Sequence, residues 1–179
     1  KENISKEKLN QKIIKKNIND IIKKNNVKFL GLRDLFLDKD NKLYISFYFK
    51  DKKGYSIDIY QADFNLQKIN FRVLYKSGIY WDKFTVRTGG RITSFKENKI
   101  LLTLGDFKDE VSPQNINSLK GKIISIDKTS GIHKIISIGH RNPQGIFYIK
   151  DKDIIVNSEH GPKGGDEINI NFQKTKNIP

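Results

Sequence analysis

The chain has 179 residues, with 34 Lys and Arg against 20 Asp and Glu and a formal net charge of +14 at pH 7. Its 36% hydrophobic and 11% aromatic content is enough for a packed core, which argues against global disorder. The absence of Cys excludes disulfides, Cys-based zinc sites and Cys nucleophiles.

The sequence predicts neither a membrane-spanning helix nor an N-terminal signal peptide. No apolar run approaches the roughly 18–20 residues that a membrane helix needs. The N-terminus is rich in lysine and has no apolar core of a signal peptide. The chain also lacks Met, even at its first position, so we expect a processed or shortened product or a piece of a longer reading frame.

The segment 1–28 is predicted to form an amphipathic helix, a separate N-terminal extension of the domain 29–179. Apolar residues recur at steps of three and four, with Lys on the other faces, at Leu9, Ile13, Ile14, Ile18, Ile21 and Ile22. We interpret the helix as packing on its own domain. The alternative is a basic helix on a membrane surface or on nucleic acid.

After Val27 the hydrophobic period changes to two, which predicts an all-β domain of many short strands. Short polar turns separate these strands and favour an antiparallel sandwich, barrel or propeller. The predicted strands are 43–49, 55–60, 69–75, 91–95, 100–104, 122–126, 133–138, 146–149, 154–157 and 167–171.

A strand, a tight turn and a second strand recur along the chain, at 35–49, 92–104 and 146–157. The repeats start roughly 55 residues apart, close to the size of a four-stranded propeller blade. This spacing favours a propeller of about three blades, whereas propellers close with four to eight. The sequence therefore predicts a partial propeller.

Two polar, glycine-rich loops border predicted strands and concentrate the candidate functional residues. The first is Gly139-His-Arg-Asn-Pro-Gln-Gly145, and the second begins at Glu159 with Glu-His-Gly-Pro-Lys-Gly-Gly-Asp-Glu-Ile-Asn. Both hold more Arg, Asn, His and acidic residues than turning the chain requires. The sequence contains no Walker loop, no dinucleotide fingerprint and no His-Glu-x-x-His motif.

These two loops resemble the signature of the glucose/sorbosone dehydrogenase family, the soluble aldose sugar dehydrogenases that depend on pyrroloquinoline quinone (PQQ). Upstream, Gly89-Gly-Arg-Ile92, Leu102-Thr-Leu-Gly-Asp106 and the segment from Pro113 to Ile124 also resemble family motifs. The resemblance covers roughly residues 31–169. It implies a six-bladed β-propeller that oxidises an aldose to its lactone.

The resemblance also implies PQQ and Ca²⁺ as cofactors and assigns residues to them. Arg141 and Asn142 are expected to contact PQQ, and His160 and Asp166 to line the same pocket. The backbone carbonyls of Gly161 and Pro162 are expected to be Ca²⁺ ligands.

The chain departs from the family pattern at one position. The family carries its catalytic histidine two positions before the Gly-Gly-Arg motif, where this chain has Arg87. Arginine stays protonated at physiological pH, so Arg87 cannot act as a general base. The catalytic residue is therefore unknown, and Arg87 is expected to hold an anion such as a carboxylate of the quinone.

Three functional interpretations follow. The first is a sugar dehydrogenase fragment that acts on a small-molecule sugar and passes electrons to an acceptor. The second is a non-catalytic propeller that binds a sugar, a quinone or a protein partner. The third is a polyanion-binding module, which the scattered lysines support weakly, so no nucleic acid partner is expected. The family implies a periplasmic or secreted protein, and the sequence leaves the oligomeric state open.

Overall fold

The computed structural model describes residues 22–23, 26–65 and 69–173, which fold into eleven β-strands and two short 3₁₀ helices. The 3₁₀ helices span Ser112–Gln114 and Lys150–Lys152. The strands are β1 (Lys28–Leu37), β2 (Lys42–Asp51), β3 (Gly54–Asp63), β4 (Arg72–Lys76), β5 (Gly89–Phe95), β6 (Lys99–Leu104), β7 (Lys122–Asp127), β8 (His133–Ile138), β9 (Pro143–Ile149), β10 (Ile154–Glu159) and β11 (Glu167–Phe172).

The strands form three antiparallel sheets, each a meander in which sequence neighbours pair. Sheet A contains β1 to β4, sheet B contains β5 to β8, and sheet C contains β9 to β11. The recurring hairpin predicted from the sequence forms the first two strands of each sheet. The expectation of an all-β, antiparallel domain is confirmed, and the described residues form two four-stranded sheets, A and B, and the three-stranded sheet C.

The predicted N-terminal helix lies almost entirely outside the described residues. Ile22 and Lys23 are helical, Asn26 lies in a turn, and Lys28 already belongs to β1. Ile22 and Val27 pack against a cluster on the outer face of sheet A. No helix of the described part of the chain is long and apolar enough to cross a membrane.

The core lies between the sheets, which explains why their strands are apolar on both faces. Leu43–Phe49 of β2 is buried throughout, because one face meets sheet B and the other meets Ile22, Val27 and Phe71. Sheets B and C share a second cluster built from Phe95, Leu101, Ile123 and Ile155. Stacked sheets of this kind are typical of propeller blades.

The first strands of the three sheets converge, and Arg91 on β5 joins them. Its Nη1 donates to the carbonyl of Arg33 on β1 at 2.7 Å, and its Nη2 donates to Oε1 of Gln144 on β9 at 3.0 Å. The Ile92 N–H donates to the Asp34 carboxylate on β1 at 2.8 Å. This junction aligns the ends of β5 and β9, from which the site is built.

Candidate functional site

The loops predicted to carry function meet at the same end of the strands of sheets B and C; we call this end the site edge of each sheet. Strand pairing brings Gly89, Leu104, Lys122 and Ile138 level with each other at this edge of sheet B. In sheet C the pairing of Glu159 with Pro143 and Glu167 defines the same edge. The candidate site lies where these loops touch.

Arg141 connects the two signature loops directly. Its Nη1 donates to the carbonyl oxygens of His160 and Gly161 at 2.8 and 2.7 Å. Within the described residues no carboxylate lies within 4.0 Å of its guanidinium nitrogens. The carbonyl oxygens accept hydrogen bonds from the guanidinium but carry no negative charge, so its positive charge remains available to an anion.

A buried pair beneath Arg141 fixes the position of this loop. Glu159 Oε2 lies 2.8 Å from His140 Nδ1, and Glu159 Oε1 accepts from the Arg141 backbone N–H at 3.2 Å. His140 Nε2 lies 2.8 Å from the Ser137 hydroxyl. Since both nitrogens of His140 have partners, the network holds the loop shape.

The Asn142 side chain is buried, with 7% of its surface exposed, and faces the junction of sheets B and C. Its Oδ1 accepts from the Gly89 backbone N–H at 3.3 Å and from Gln144 Nε2 at 2.8 Å. This oxygen therefore ties β5 to β9. The predicted contact with a cofactor stays a prediction.

His160 and Asp166 form an exposed pair, with side chains 61% and 70% exposed. His160 Nδ1 lies 3.2 Å from Asp166 Oδ2, and the Gly161 backbone N–H donates to Asp166 Oδ1 at 3.1 Å. These contacts, the His160 hydrogen bond first, hold the pKa of the Asp166 carboxyl below its usual range. Both residues line a cleft with Gln144 and Ser158.

The two carbonyls predicted to bind Ca²⁺ are already engaged. Gly161 O accepts from the Arg141 guanidinium, and Pro162 O accepts from the Gly165 N–H at 2.6 Å. The described residues hold no group of three or more His, Asp or Glu suited to a metal ion. Carbonyl oxygens suit Ca²⁺, but a guanidinium on one of them repels a second cation. In this arrangement the pair does not fit Ca²⁺.

Arg87 lines a groove together with residues of the signature loops. Its Nε is 3.0 Å from Asp106 Oδ1 in an ion pair whose side chains are 14% and 3% exposed. Burial raises the pKa of the Asp106 carboxyl, and the Lys108 N–H and Arg87 oppose this increase. The groove, of about 320 Å³, is also lined by Arg141 and Pro162.

The groove combines two arginines with two carboxylates, those of Asp106 and Glu110, so an anionic ligand needs an arginine that is not already paired. The structure brings Arg87 into the same groove as Arg141 and Pro162, although more than 50 residues separate the first two in sequence. Gln114 adds an amide to the lining. Because Asp106 already pairs with Arg87, Arg141 is the cation that is open to a carboxylate. On this donor set the residues present fit one acidic group of PQQ.

Two site residues were not singled out from the sequence. Asp106 and Glu159 stand inside the quoted motifs, so the signal that could have found them is an ionisable residue next to a strand end. The sequence could not show that Glu159 lies beneath Arg141 while Asp106 faces Arg87. Those roles depend on the pairing of β9 with β10 and on the β6–β7 loop.

The sequence profile of the family described as Glucose / Sorbosone dehydrogenase matches residues 5–177. The chain belongs to this family. The match confirms the relationship that the two signature loops indicate. It also extends beyond the range of the quoted motifs, into the N-terminal segment.

Individual members of the family show the same likeness. The aldose sugar dehydrogenase YliI of Escherichia coli (strain K12) is 34% identical over 102 residues, 50% of this chain and 27% of that protein. The apo-form structure of the soluble aldose sugar dehydrogenase of E. coli is 25% identical, with a TM-score of 0.62 over 78% of this chain and 44% of that one.

A second solved structure is the PQQ-bound form of aldose sugar dehydrogenase from Streptomyces coelicolor. It is 24% identical, with a TM-score of 0.61 over 80% of this chain and 45% of that one. At this identity the likeness shows the fold. The chain thus spans about half or less of the length of the relatives it matches.

Proposed function

We propose that the chain forms the quinone-binding part of a PQQ-dependent dehydrogenase that oxidises an aldose to its lactone. The observation that carries this proposal is the groove that Arg87, Arg141 and Pro162 line together. Membership of the glucose/sorbosone dehydrogenase family supports it. The substrate is then a small sugar, with a separate electron acceptor.

In this proposal Arg141 holds a carboxylate of PQQ, and Asn142 fixes the loop from which Arg141 reaches the groove. His160 and Asp166 line the neighbouring cleft, where their exposed side chains can bind sugar hydroxyls. The chemistry that PQQ supplies when bound is acceptance of a hydride from the anomeric carbon. Ca²⁺ binding at Gly161 and Pro162 needs Arg141 to leave the Gly161 carbonyl.

Arg87 supports a second candidate, a non-catalytic propeller that binds a sugar, a quinone or a protein partner. Its guanidinium is held by Asp106 at the groove and cannot accept a proton at physiological pH. Arg87 binds an anion there only if its guanidinium is shared between that anion and Asp106. On this reading the site is assembled but lacks its base.

The remaining proposals concern the whole protein. We place the described sheets in a domain 29–179 that forms three blades of a six-bladed propeller, with 1–28 as an N-terminal extension. By family resemblance the protein acts in the periplasm or outside the cell. We propose no nucleic acid partner, because the lysines are spread along the chain and are not concentrated in one segment.

The test is a dye-linked aldose oxidation assay on the full-length protein supplied with PQQ and Ca²⁺, beside an Arg87→His variant. PQQ affinity is measured separately by fluorescence titration. Arg72→His, at an exposed position of β4, controls for an added histidine.

Turnover by the parent supports the dehydrogenase and requires a base other than Arg87. Turnover by Arg87→His alone supports the non-catalytic candidate with an assembled site. PQQ binding without turnover in either protein supports the same candidate. The absence of both PQQ binding and turnover would contradict both quinone proposals.

A further inference from the structure

Lys122 at the start of β7 is fully buried, with 0% of its surface exposed. Its Nζ donates to three backbone carbonyls, those of Ser112, Pro113 and Lys120, at 3.0, 2.7 and 2.8 Å. An ammonium has three N–H donors, so the three carbonyls satisfy it completely. We call these carbonyls the Lys122 cage.

The cage has no counter-charge among the described residues. No carboxylate there lies within 4.0 Å of the Lys122 Nζ. Burial lowers the pKa of Lys122, as expected for an ammonium withdrawn from water. A buried cation held by carbonyls alone is costly unless every donor is used. The arrangement therefore depends on the segment that supplies the carbonyls keeping its shape.

That segment forms one wall of the groove described above. Pro113 and Gln114, in the short 3₁₀ helix, line the groove, and Asp106 and Glu110 precede them in the same β6–β7 loop. Gly139, the first residue of the signature loop, also lines the groove. The cage thus lies directly behind the groove.

One carbonyl links the cage to the signature loop. Pro113 O accepts from Lys122 Nζ at 2.7 Å and also from the Gly139 backbone N–H at 2.9 Å. Next to it, the His140 N–H donates to the carbonyl of Gly121 at 3.1 Å. A change at Lys122 is therefore transmitted through one shared acceptor to the loop that carries Arg141.

We propose that Lys122 is the positioning residue of the groove: its ammonium is the central ion of the cage and holds the Pro113–Gln114 wall against Gly139. The charge is required, since a neutral side chain of equal length leaves three carbonyls without donors. Only the effect on ligand affinity rests on the proposed function. The effect on the wall stands without it.

The first test compares Lys122→Met with Lys99→Met, a matched change at an exposed position of β6. Amide hydrogen exchange at Gly139 is measured in the full-length protein. We expect exchange about tenfold faster or more in Lys122→Met and unchanged in Lys99→Met, because the cage shares its acceptor with the Gly139 N–H. Unchanged protection at Gly139 in Lys122→Met would overturn the proposal.

A second test separates the charge from packing. In Lys122→Ala, n-propylammonium replaces the missing Cγ, Cδ, Cε and Nζ together with the charge, whereas 1-propanol replaces the same number of heavy atoms without the charge. We expect the amine to restore Gly139 protection and the alcohol to leave it unchanged. Equal restoration by both would show that Lys122 only fills space.

A third measurement needs no variant to fold. In the ¹⁵N-labelled parent we expect a slowly exchanging lysine NH₃⁺ signal at neutral pH, coupled to backbone carbonyls. The absence of such a signal would contradict the cage.

PQQ affinity is expected to fall about tenfold in Lys122→Met. If PQQ binds neither protein, the proposed function fails, while the exchange and NH₃⁺ results still decide the role of Lys122.

Discussion

Several ionisable side chains of this molecule are buried, and the carboxyl of Asp58 on β3 is the one whose burial most clearly affects the pH dependence of stability. Only 5% of its surface is exposed. One carboxylate oxygen accepts from the Ser77 backbone N–H at 3.1 Å. Burial raises the pKa of Asp58 to about 6, against the opposing effect of the Ser77 hydrogen bond.

This shift predicts a loss of stability as pH rises. The folded protein binds the Asp58 proton more tightly than the unfolded chain, whose Asp pKa is about 3.9. The free energy of unfolding therefore falls between about pH 4 and pH 6, by roughly 2 to 3 kcal/mol from this group, and levels off above. Between these two pH values, the free energy of unfolding of Asp58→Asn should rise relative to that of the parent by the same amount.

Urea unfolding at pH 4 and pH 7 measures the difference between parent and variant. Asn retains an oxygen that can accept from the Ser77 N–H, so the comparison isolates the charge. Asp151→Asn, at an exposed position, is the control and should shift stability equally at both pH values. A parent-to-variant difference that stays constant with pH would contradict the prediction.

At the scale of elements, alternation along the chain predicted the strands well where the pairing is regular. Tyr55–Tyr60 alternates and lies within β3, which pairs with β2 in continuous register. The start of β1 was not predicted, because register shifts at Phe29/Gly31 and Leu32/Asp34 break its alternation. Such irregularities depend on the partner strand, which the local sequence does not reveal.

The loops were predictable in position but not in contacts. The motifs identified Arg141 and Gly161, but only the fold shows that the guanidinium lies on the Gly161 carbonyl. Lys122 stands in an apolar strand, where its type alone suggests an exposed position, and the cage that buries it comes from a loop earlier in the chain. Long-range partners of polar groups remained beyond a single sequence.

The β10–β11 loop gives a prediction at this scale through Gly161. A Cβ built on Gly161 overlaps the backbone of Gly165, so any side chain there must open the turn. We expect Gly161→Ala to lower the free energy of unfolding by about 1–3 kcal/mol and to remove the contact between Arg141 and the Gly161 carbonyl.

Urea midpoints measure the stability, and, under the proposed function, a PQQ titration measures the loss of the Arg141 position. Gly31→Ala is the matched control, since a Cβ there meets no atom within 4 Å and the backbone is not in the left-handed region. Wild-type stability and PQQ affinity in Gly161→Ala would show that the turn tolerates a side chain.

At the scale of the whole molecule, the three sheets depend on polar contacts between their first strands as well as on apolar faces. Arg91 donates from one guanidinium to β1 and to β9, and Asp34 lies 3.9 Å from it. A planar fork with several donors suits such a junction, whereas an ammonium reaches fewer partners at fixed angles.

We expect Arg91→Met to lower the free energy of unfolding by about 2 kcal/mol, because it leaves the Arg33 carbonyl and the Gln144 amide oxygen without their donor. Urea unfolding followed by Trp81 fluorescence and by far-UV circular dichroism measures this. Both probes should shift together, since Arg91 stabilises the junction between the sheets.

The loss of stability in Arg91→Met should persist at about 1 M salt, because neutral oxygens accept the two hydrogen bonds of Arg91 and salt mainly screens exposed charges. Arg72→Met, at an exposed position of β4, should leave the midpoint unchanged. A loss that disappears in high salt would instead assign the effect to the Asp34 ion pair.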